Sequence, residues 1–399
     1  MAYIVDPTDP TQPTNDKGAT QGAGELRALK AYIATLAGLG PTGLGVNVFR
    51  KNAIIGGDFD TNPWQRGNAF VGIGVNNVAA DRWKYDKNGT MIEDASNTVD
   101  APILGTVYKN KTMDILAIDC LQLNVTTAEA VLAAGDYSRW RQSIEGYNWK
   151  LFAQVPIVLS FWHKHTKVGT YCIAIRNSGA DRCYIAEYTQ AVTETWEYES
   201  IAIPASPAAG TWNYTTGVGA EVCFIRGSGA TYQTPAGAWT VGNFLASANQ
   251  VNSLDVIGNK FRIDLVQLEV GTVASKFERR SFQEELILCQ RYYEKTFDLA
   301  TPPAQNAGLG VGAISMRAAV AVASANQATW KFAVRKRNHA NIVTYNPLVA
   351  NASWRDITAN ADRAAFVDIL SEDQVTILMT GVPVVGNQNL IHATADAEL

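Results

Sequence analysis

Along most of this chain, apolar residues recur at every second position. Tyr171, Ile173 and Ile175 alternate with Cys172, Ala174 and Arg176, and Phe261, Ile263 and Leu265 alternate with Arg262 and Asp264. That is the period of a strand with one covered face. Residues 155–165 form a denser apolar run with Trp162 near its end, the pattern of a strand buried on both faces. Asn88-Gly89 stands between the strand-like WKY and TMI, as a tight hairpin requires. Many short strands, Gly- and Asn-rich turns and no helix long enough for a crossover predict an antiparallel sandwich between Val46 and about Lys276. A second strand set follows over residues 300–399. Trp330, Phe332 and Val334 alternate with Lys331, Ala333 and Arg335, then come Val343 and Tyr345, the run 374–380 and the closing NLIHATADAEL. No repeat of solenoid or β-helix period is present.

Two segments depart from this alternation. In KFERRSFQEELILCQRYYEK (276–295), Ser281 and Glu284 have capping-box spacing, and Phe282, Leu286, Cys289 and Tyr293 recur as one helical stripe. This predicts a short helix joining two β modules. In GELRALKAYIATLAG (24–38), Leu26, Leu29, Ile33 and Leu36 follow the 3-4-3 spacing of an a/d seam, which Gly38, Gly40 and Pro41 terminate. Two turns of seam are not stable alone in water. The segment needs partner helices, either copies of itself or another protein, unless it packs on its own domain. Before it, residues 1–24 carry Pro7, Pro10 and Pro13 among Thr, Asp and Gln, which suits an extended strap without a core.

Composition narrows the function classes. The chain has 399 residues and a net charge of −4, so no general electrostatic attraction to nucleic acid or anionic membrane is expected. No apolar run approaches bilayer length and no secretory signal pattern opens the chain, so neither membrane insertion nor a secretory route is expected. The five cysteines (Cys120, Cys172, Cys183, Cys223, Cys289) are odd in number and form no CxxC pair, which predicts buried thiols rather than a disulfide framework. Ten Trp and fifteen Tyr supply either sandwich cores or flat platforms on which sugar rings stack.

Two phrases of the sequence are distinctive: NAIIGGDFDTNPWQRG with AADRW (52–83), and QLEVGTVASKFERRSFQEELILCQRYYEK (267–295). Together they resemble the opening and closing motifs of a jelly-roll domain, similar to a carbohydrate-binding module, in bacteriophage tail fibres and receptor-binding proteins. Gly56-Gly57 departs from the Asn-Gly usual in the opening. The strap and ELRALKAY helix likewise resemble the virion-attachment end of such fibres. The resemblance implies three regions: 1–45 for virion attachment, 46–280 for the jelly roll, and 281–399 for a linking helix and a β-rich tip, itself a small sandwich. It also implies a homotrimer held on the tail, baseplate or an adaptor protein through Leu26, Leu29, Ile33 and Leu36. The partner beyond the virion would be a host surface polysaccharide or lipopolysaccharide.

Chemistry-bearing motifs are sparse. There is no GxSxG elbow, P-loop, HExxH or properly placed GxGxxG, so no catalytic residue and no cofactor are assigned. His163 and His165 share a strand face and offer two metal-type ligands, but no Cys or carboxylate cluster adjoins them in sequence, so no metal site is assigned. Glu197 and Glu199 project from one strand face, as any solvated edge does. Asp58 and Asp264 offer two oxygens toward a structural calcium, which wants six or more. Trp64 and Trp83 are expected in the core, Asp81 and Arg82 at a turn or strand end, and Glu278 and Arg279 as pins for the joint helix. Trp212, Tyr214, Tyr232 and Trp239 sit among Gly, Thr and Pro and are the candidate glycan contacts. The expectation is a non-enzymatic tail fibre of the virion, assembled in the host cytoplasm. A polysaccharide-cleaving tailspike and a purely structural fibre or adaptor component are the alternatives.

Overall fold

The computed structural model describes residues 51–399 other than Asn110, Leu309 and Gly310. The strap and the seam residues Leu26, Leu29, Ile33 and Leu36 lie outside the described residues. Fourteen strands come first: β1 (Ala69–Phe70), β2 (Trp83–Asn88), β3 (Ile92–Val99), β4 (Val107–Tyr108), β5 (Lys111–Thr112), β6 (Asp119–Thr127), β7 (Tyr137–Glu145), β8 (Ile157–His165), β9 (Gly169–Asn177), β10 (Arg182–Gln190), β11 (Glu197–Ile203), β12 (Val218–Ser228), β13 (Trp239–Val241) and β14 (Lys260–Val270). A single helical turn, α1 (Gly146–Trp149), follows β7. All but the β4–β5 hairpin build two six-stranded antiparallel sheets, β1-β3-β6-β14-β8-β11 and β13-β10-β9-β12-β7-β2, packed as a jelly-roll sandwich.

The inward residues of both sheets make one core. Leu159 and Phe161, Tyr171, Ile173 and Ile175, Val222 and Phe224, and Phe261 and Ile263 are all buried in it. Phe161 meets Phe224 edge-on at 5.0 Å, an arrangement that favours aromatic pairs beyond their area. β8 is buried on both faces, as its apolar run predicts, with only Lys164 half-buried. In β9 the alternate residues Cys172 and Ala174 are buried too. The loop 229–251 folds back over this outer face and places Leu245 and Ala246 on Cys183, Ile185, Cys223 and Ile225, with Tyr232 and Phe244 at its margin. All five cysteines are buried and free.

Three expectations need correction. The Asn88-Gly89 turn is no hairpin: β2 pairs with β7 and β3 with β6, so this turn carries the chain from one sheet to the other. Gly89 permits it at φ +129, a region that side chains disfavour. The alternation of Phe261, Ile263 and Leu265 breaks at a bulge between Asp264 and Gln267. There Leu265 adopts φ +49 and turns to the outer face against Met113 and Trp162, leaving Val266 and Leu268 to fill the core. The pattern through Trp330, Phe332 and Val334 also outlasts its strand, which ends at Lys331.

Helix α2 (Phe282–Gln290) carries the predicted capping box: Ser281 Oγ accepts from the Glu284 amide while the Glu284 carboxylate accepts from the Ser281 amide. Its buried face differs from the expected stripe. Glu285 and Cys289 are buried, Tyr292 follows them into the interior, and Phe282 is 41% exposed. Electrostatics sets this rotation, because Glu285 accepts from the Gly56 amide at 3.0 Å and pairs with Arg280 at 3.0 Å.

Beyond α2 lie β15 (Tyr293–Lys295), β16 (Ile314–Arg317), β17 (Asn326–Lys331), β18 (Asn341–Tyr345), β19 (Trp354–Asp356), β20 (Ala361–Arg363), β21 (Ala365–Leu370), β22 (Gln374–Met379) and β23 (Gln388–Asp396). β23 is the spine of the larger sheet and pairs with β15, β16, β18 and β19. The smaller sheet, β17-β22-β21, closes over it. Trp354, Val375, Ile377, Met379, Ile391 and Ala393 are sealed between them, which makes a second small sandwich.

The two distinctive phrases of the sequence meet at the joint. Asn52 donates its backbone N–H to Glu278 and its side-chain amide to Val266. Arg279 grips Asp58 at 2.8 Å and Asp60 at 3.0 Å. Trp83 Nε1 donates to the Gly56 carbonyl at 2.9 Å. The Arg66 and Arg82 guanidinium groups lie 3.5 Å and 3.4 Å over the rings of Tyr293 and Tyr292, and both arginines also pair with Glu398. Trp64 and Trp83 are buried in the core as expected.

Candidate functional site

The outer face of the second sheet has two halves. Toward β2 and β7 it is charged: Arg139 pairs with Asp86 at 2.5 Å, Arg141 with Glu221 at 2.7 Å, and Arg176 stands 3.8 Å from Glu221. Burial alone would raise the Glu221 carboxyl, but these three guanidinium groups outweigh it and hold the acid below its usual range. Each charge here faces an opposite one on a neighbouring strand, which is how such groups survive partial burial.

Toward β10 the face is hollowed. A cavity of about 630 Å³ opens between Glu187 of β10 and two stretches of the 229–251 loop, with Gln233, Thr234, Ser247 and Asn249 among its lining. The loop is fixed by its own backbone: the Thr234 N–H donates to the Ala246 carbonyl at 2.9 Å, and the Leu245 N–H donates to the Tyr232 carbonyl at 2.8 Å. Gln233 Nε2 donates to the Ser228 carbonyl at 2.8 Å and Asn249 Nδ2 to Glu187 Oε1 at 3.0 Å. Among the described residues both amide oxygens are left uncommitted, beside a carboxylate and hydroxyls. Amides, hydroxyls and one acid at a shallow depression are the groups that exchange hydrogen bonds with a polyhydroxylated ligand.

The four candidate aromatics divide. Tyr232 ends the short 3₁₀ turn Ala230–Tyr232 beside this cavity and meets Tyr137 edge-on at 5.1 Å. Trp212 and Trp239 come together elsewhere, at 5.9 Å, and Trp212 stacks on buried Trp149 at 5.7 Å and 11°. Tyr214 packs half-buried against the same core as these two tryptophans. The indole N–H groups of Trp212 and Trp239 donate to the carbonyls of Ala209 and Pro204. One edge therefore carries a pair of half-buried, hydrogen-bonded indoles, while Tyr232 packs beneath the loop that forms the groove and is not part of its lining.

Residues considered separately in the sequence also converge. His165 stays in the core, stacked 3.7 Å from Tyr171 and 4.7 Å from Phe261. Burial, with the neighbouring His163 and Arg226, depresses its pKa well below the usual imidazole value. His163 instead meets Glu197 and Glu199 at the sandwich edge, with donor atoms all within 4.8 Å of one another. Glu197 is buried rather than solvated. At the supposed calcium position, Arg279 already supplies the positive charge to Asp58 and Asp60. Burial, and then the nearby Asp58 charge, push the Asp264 carboxyl well above its usual range, toward the neutral acid.

No protein-family model and no curated protein matches this chain. Solved structures similar to it include the enzymatically active domain of tailspike protein 4 from bacteriophage CBA120, at 15% identity and a TM-score of 0.30, over 55% of this chain and 21% of that one. TmCBM61 in complex with β-1,4-galactotriose aligns at 9% identity and a TM-score of 0.27, over 56% of this chain and 100% of that one. The family 11 carbohydrate-binding module from Clostridium thermocellum, in complex with a β-1,3-1,4-mixed-linked tetrasaccharide, aligns at 10% and 0.26, over 52% and 99%. This chain thus spans about a fifth of the tailspike structure. At such scores, what those proteins bind or cleave stays with them.

Proposed function

We propose that the protein is a non-enzymatic, homotrimeric tail fibre that recognises a host surface glycan. The observation that carries glycan recognition is the groove on the second sheet, with the amide oxygens of Gln233 and Asn249 uncommitted among the described residues and the Glu187 carboxylate beside them. The fibre assignment is supported by the paired phrases at 52–83 and 267–295, and by the strap and short seam before them. Glu187 is the one acid among the described residues lining the groove. Glycosidases use two carboxyl groups set across the scissile bond, so the single acid favours binding over cleavage. Weak single-site contacts would be multiplied by three copies per fibre.

The test is binding of the purified protein to a panel of host polysaccharides, with an assay for released reducing sugar alongside. E187Q and N249A should each weaken binding by about tenfold, the scale of one lost polar contact to a ligand. Sugar release, or binding unchanged in both variants, would reject the reading.

A further inference from the structure

The edge where β11 pairs with β8 holds a group of side chains that neither the core nor the groove uses. Glu197 lies directly opposite His163 in the antiparallel register, and Glu199 lies opposite Phe161, so both acids and the imidazole share the inner face. The histidine tautomer is fixed by Gln190. Its Nε2 donates to the carbonyls of Val192 and Thr195 at 2.7 Å and 2.8 Å, so the amide oxygen must be the atom that accepts from the His165 N–H at 2.9 Å. That same oxygen stands 3.0 Å from His163 Nδ1, which therefore carries the proton. His163 Nε2 is left with a lone pair, fully buried and without a hydrogen-bond partner. It points toward Glu199 Oε1, 3.9 Å away, beyond hydrogen-bond reach.

Glu197 is held just as firmly. Its Oε1 accepts from the backbone N–H groups of Ala191 and Val192 at 2.7 Å and 3.0 Å and from Gln190 Nε2 at 3.1 Å. Its Oε2 is buried with no well-aligned donor, the nearest being Lys109 Nζ at 3.2 Å. Lys109 sits on the turn between β4 and β5 at φ +48 and also reaches Glu199 at 2.9 Å. Its side chain is 37% exposed. An ammonium lies near both carboxylates but leaves Glu197 Oε2 without an aligned donor and the imidazole lone pair unused. A metal ion would use all three.

We propose that His163 Nε2, Glu197 and Glu199 form a zinc-class metal site at the sandwich edge, with the Lys109 ammonium as the internal cation that a metal ion displaces. One imidazole and two carboxylates make the three-ligand set on which zinc keeps an open fourth position. Calcium and magnesium select oxygen ligands, so the imidazole selects against them. The outer partners match those of established sites: an amide oxygen on the far imidazole nitrogen, and hydrogen bonds on the ligating carboxylate. The site is independent of the glycan reading, because it lies on the inner face and shares no residue with the groove.

The experiment uses chelator-stripped full-length protein, titrated with Zn²⁺ and with Co²⁺ for its visible spectrum, and native mass spectrometry for stoichiometry. Wild type should take up one ion per chain at micromolar free metal, with Co²⁺ bands of an N/O site and a raised melting temperature. K109M should bind more tightly, and E199Q should bind about tenfold or more weakly, the scale of a disturbed ligand shell. H163Q should abolish the cobalt spectrum. If that variant fails to fold, the half-exposed Glu199 position carries the test through E199Q. Wild type that takes up no metal, or uptake unchanged in E199Q, overturns the proposal.

Discussion

His392 shows how one side chain ties this protein to pH. It is buried in the second sandwich, stacked 4.0 Å from Phe297, with Nδ1 3.0 Å from Thr296 Oγ1. Burial lowers its pKa from 6.5, with only Asp298 opposing. The unfolded chain therefore takes up this proton more readily than the folded one. Stability should fall as pH drops through about 6.5 toward the folded value, and be intact above it. Urea midpoints measured between neutral and mildly acidic pH should show that decline, and H392Q should lessen it, the rest coming from His165, whose burial lowers it in the same sense. At the same scale the sequence was only partly informative. Glu197 and Glu199 are an ordinary i, i+2 pair and His163 one residue of an apolar run. That the three meet depends on β11 pairing with β8 in one register, and on Gln190 reaching across from β10. Neither leaves a local trace, and the absence of a nearby Cys or acid in sequence pointed away from the site.

Elements were more legible where periodicity and packing agree. β8, β9 and the capping box of α2 follow from spacing alone. The exceptions have identifiable causes. Two sheets share the Asn88-Gly89 turn, a bulge reverses Leu265, and α2 turns a carboxylate rather than Phe282 inward. That last choice has a measurable consequence. Arg280 donates to the Ile54 carbonyl at 3.0 Å and pairs with Glu285, both side chains being nearly inaccessible. Removing one member of such a pair strands the other charge. R280M should therefore destabilise the protein by about 3–5 kcal/mol in urea unfolding. The Glu285 carboxyl is already pushed up by burial, against Arg280. In R280M, with the opposing Arg280 charge gone, it should rise further and take up a proton more readily, so the loss should be smaller at acidic than at alkaline pH.

For the whole molecule, the sequence conveyed two β modules and a joint, but not how tightly the modules engage. Arg291 pairs with Glu145 at 2.6 Å, Arg337 donates to the Thr216 carbonyl at 3.0 Å, and Gln65 donates its side-chain amide to the Tyr293 carbonyl at 3.2 Å. Such contacts make the joint a rigid coupling. Apolar side chains remain on the tip surface: Val322 is 57% exposed, Phe366 57% and Val382 58%. Covering these side chains in neighbouring copies would remove that apolar surface from water, which is in keeping with the trimer proposed above. Light scattering should give three times the chain's 43.2 kDa, and replacing Phe366 and Val382 by Asp should reduce that mass. A monomeric mass for wild type would exclude the trimer.

β23 is the spine of the second sandwich, and just past it Glu398 closes on Arg66 and Arg82, more than three hundred residues earlier. During synthesis Arg66 can meet Asp81 of its own sandwich early, but the carboxylate it shares with Arg82 leaves the ribosome long after both. A nascent chain stopped anywhere before residue 388 would lack β23 and Glu398 alike, stripping Tyr292 and Tyr293 of their backbone partners and leaving an open seam for chaperones and proteases.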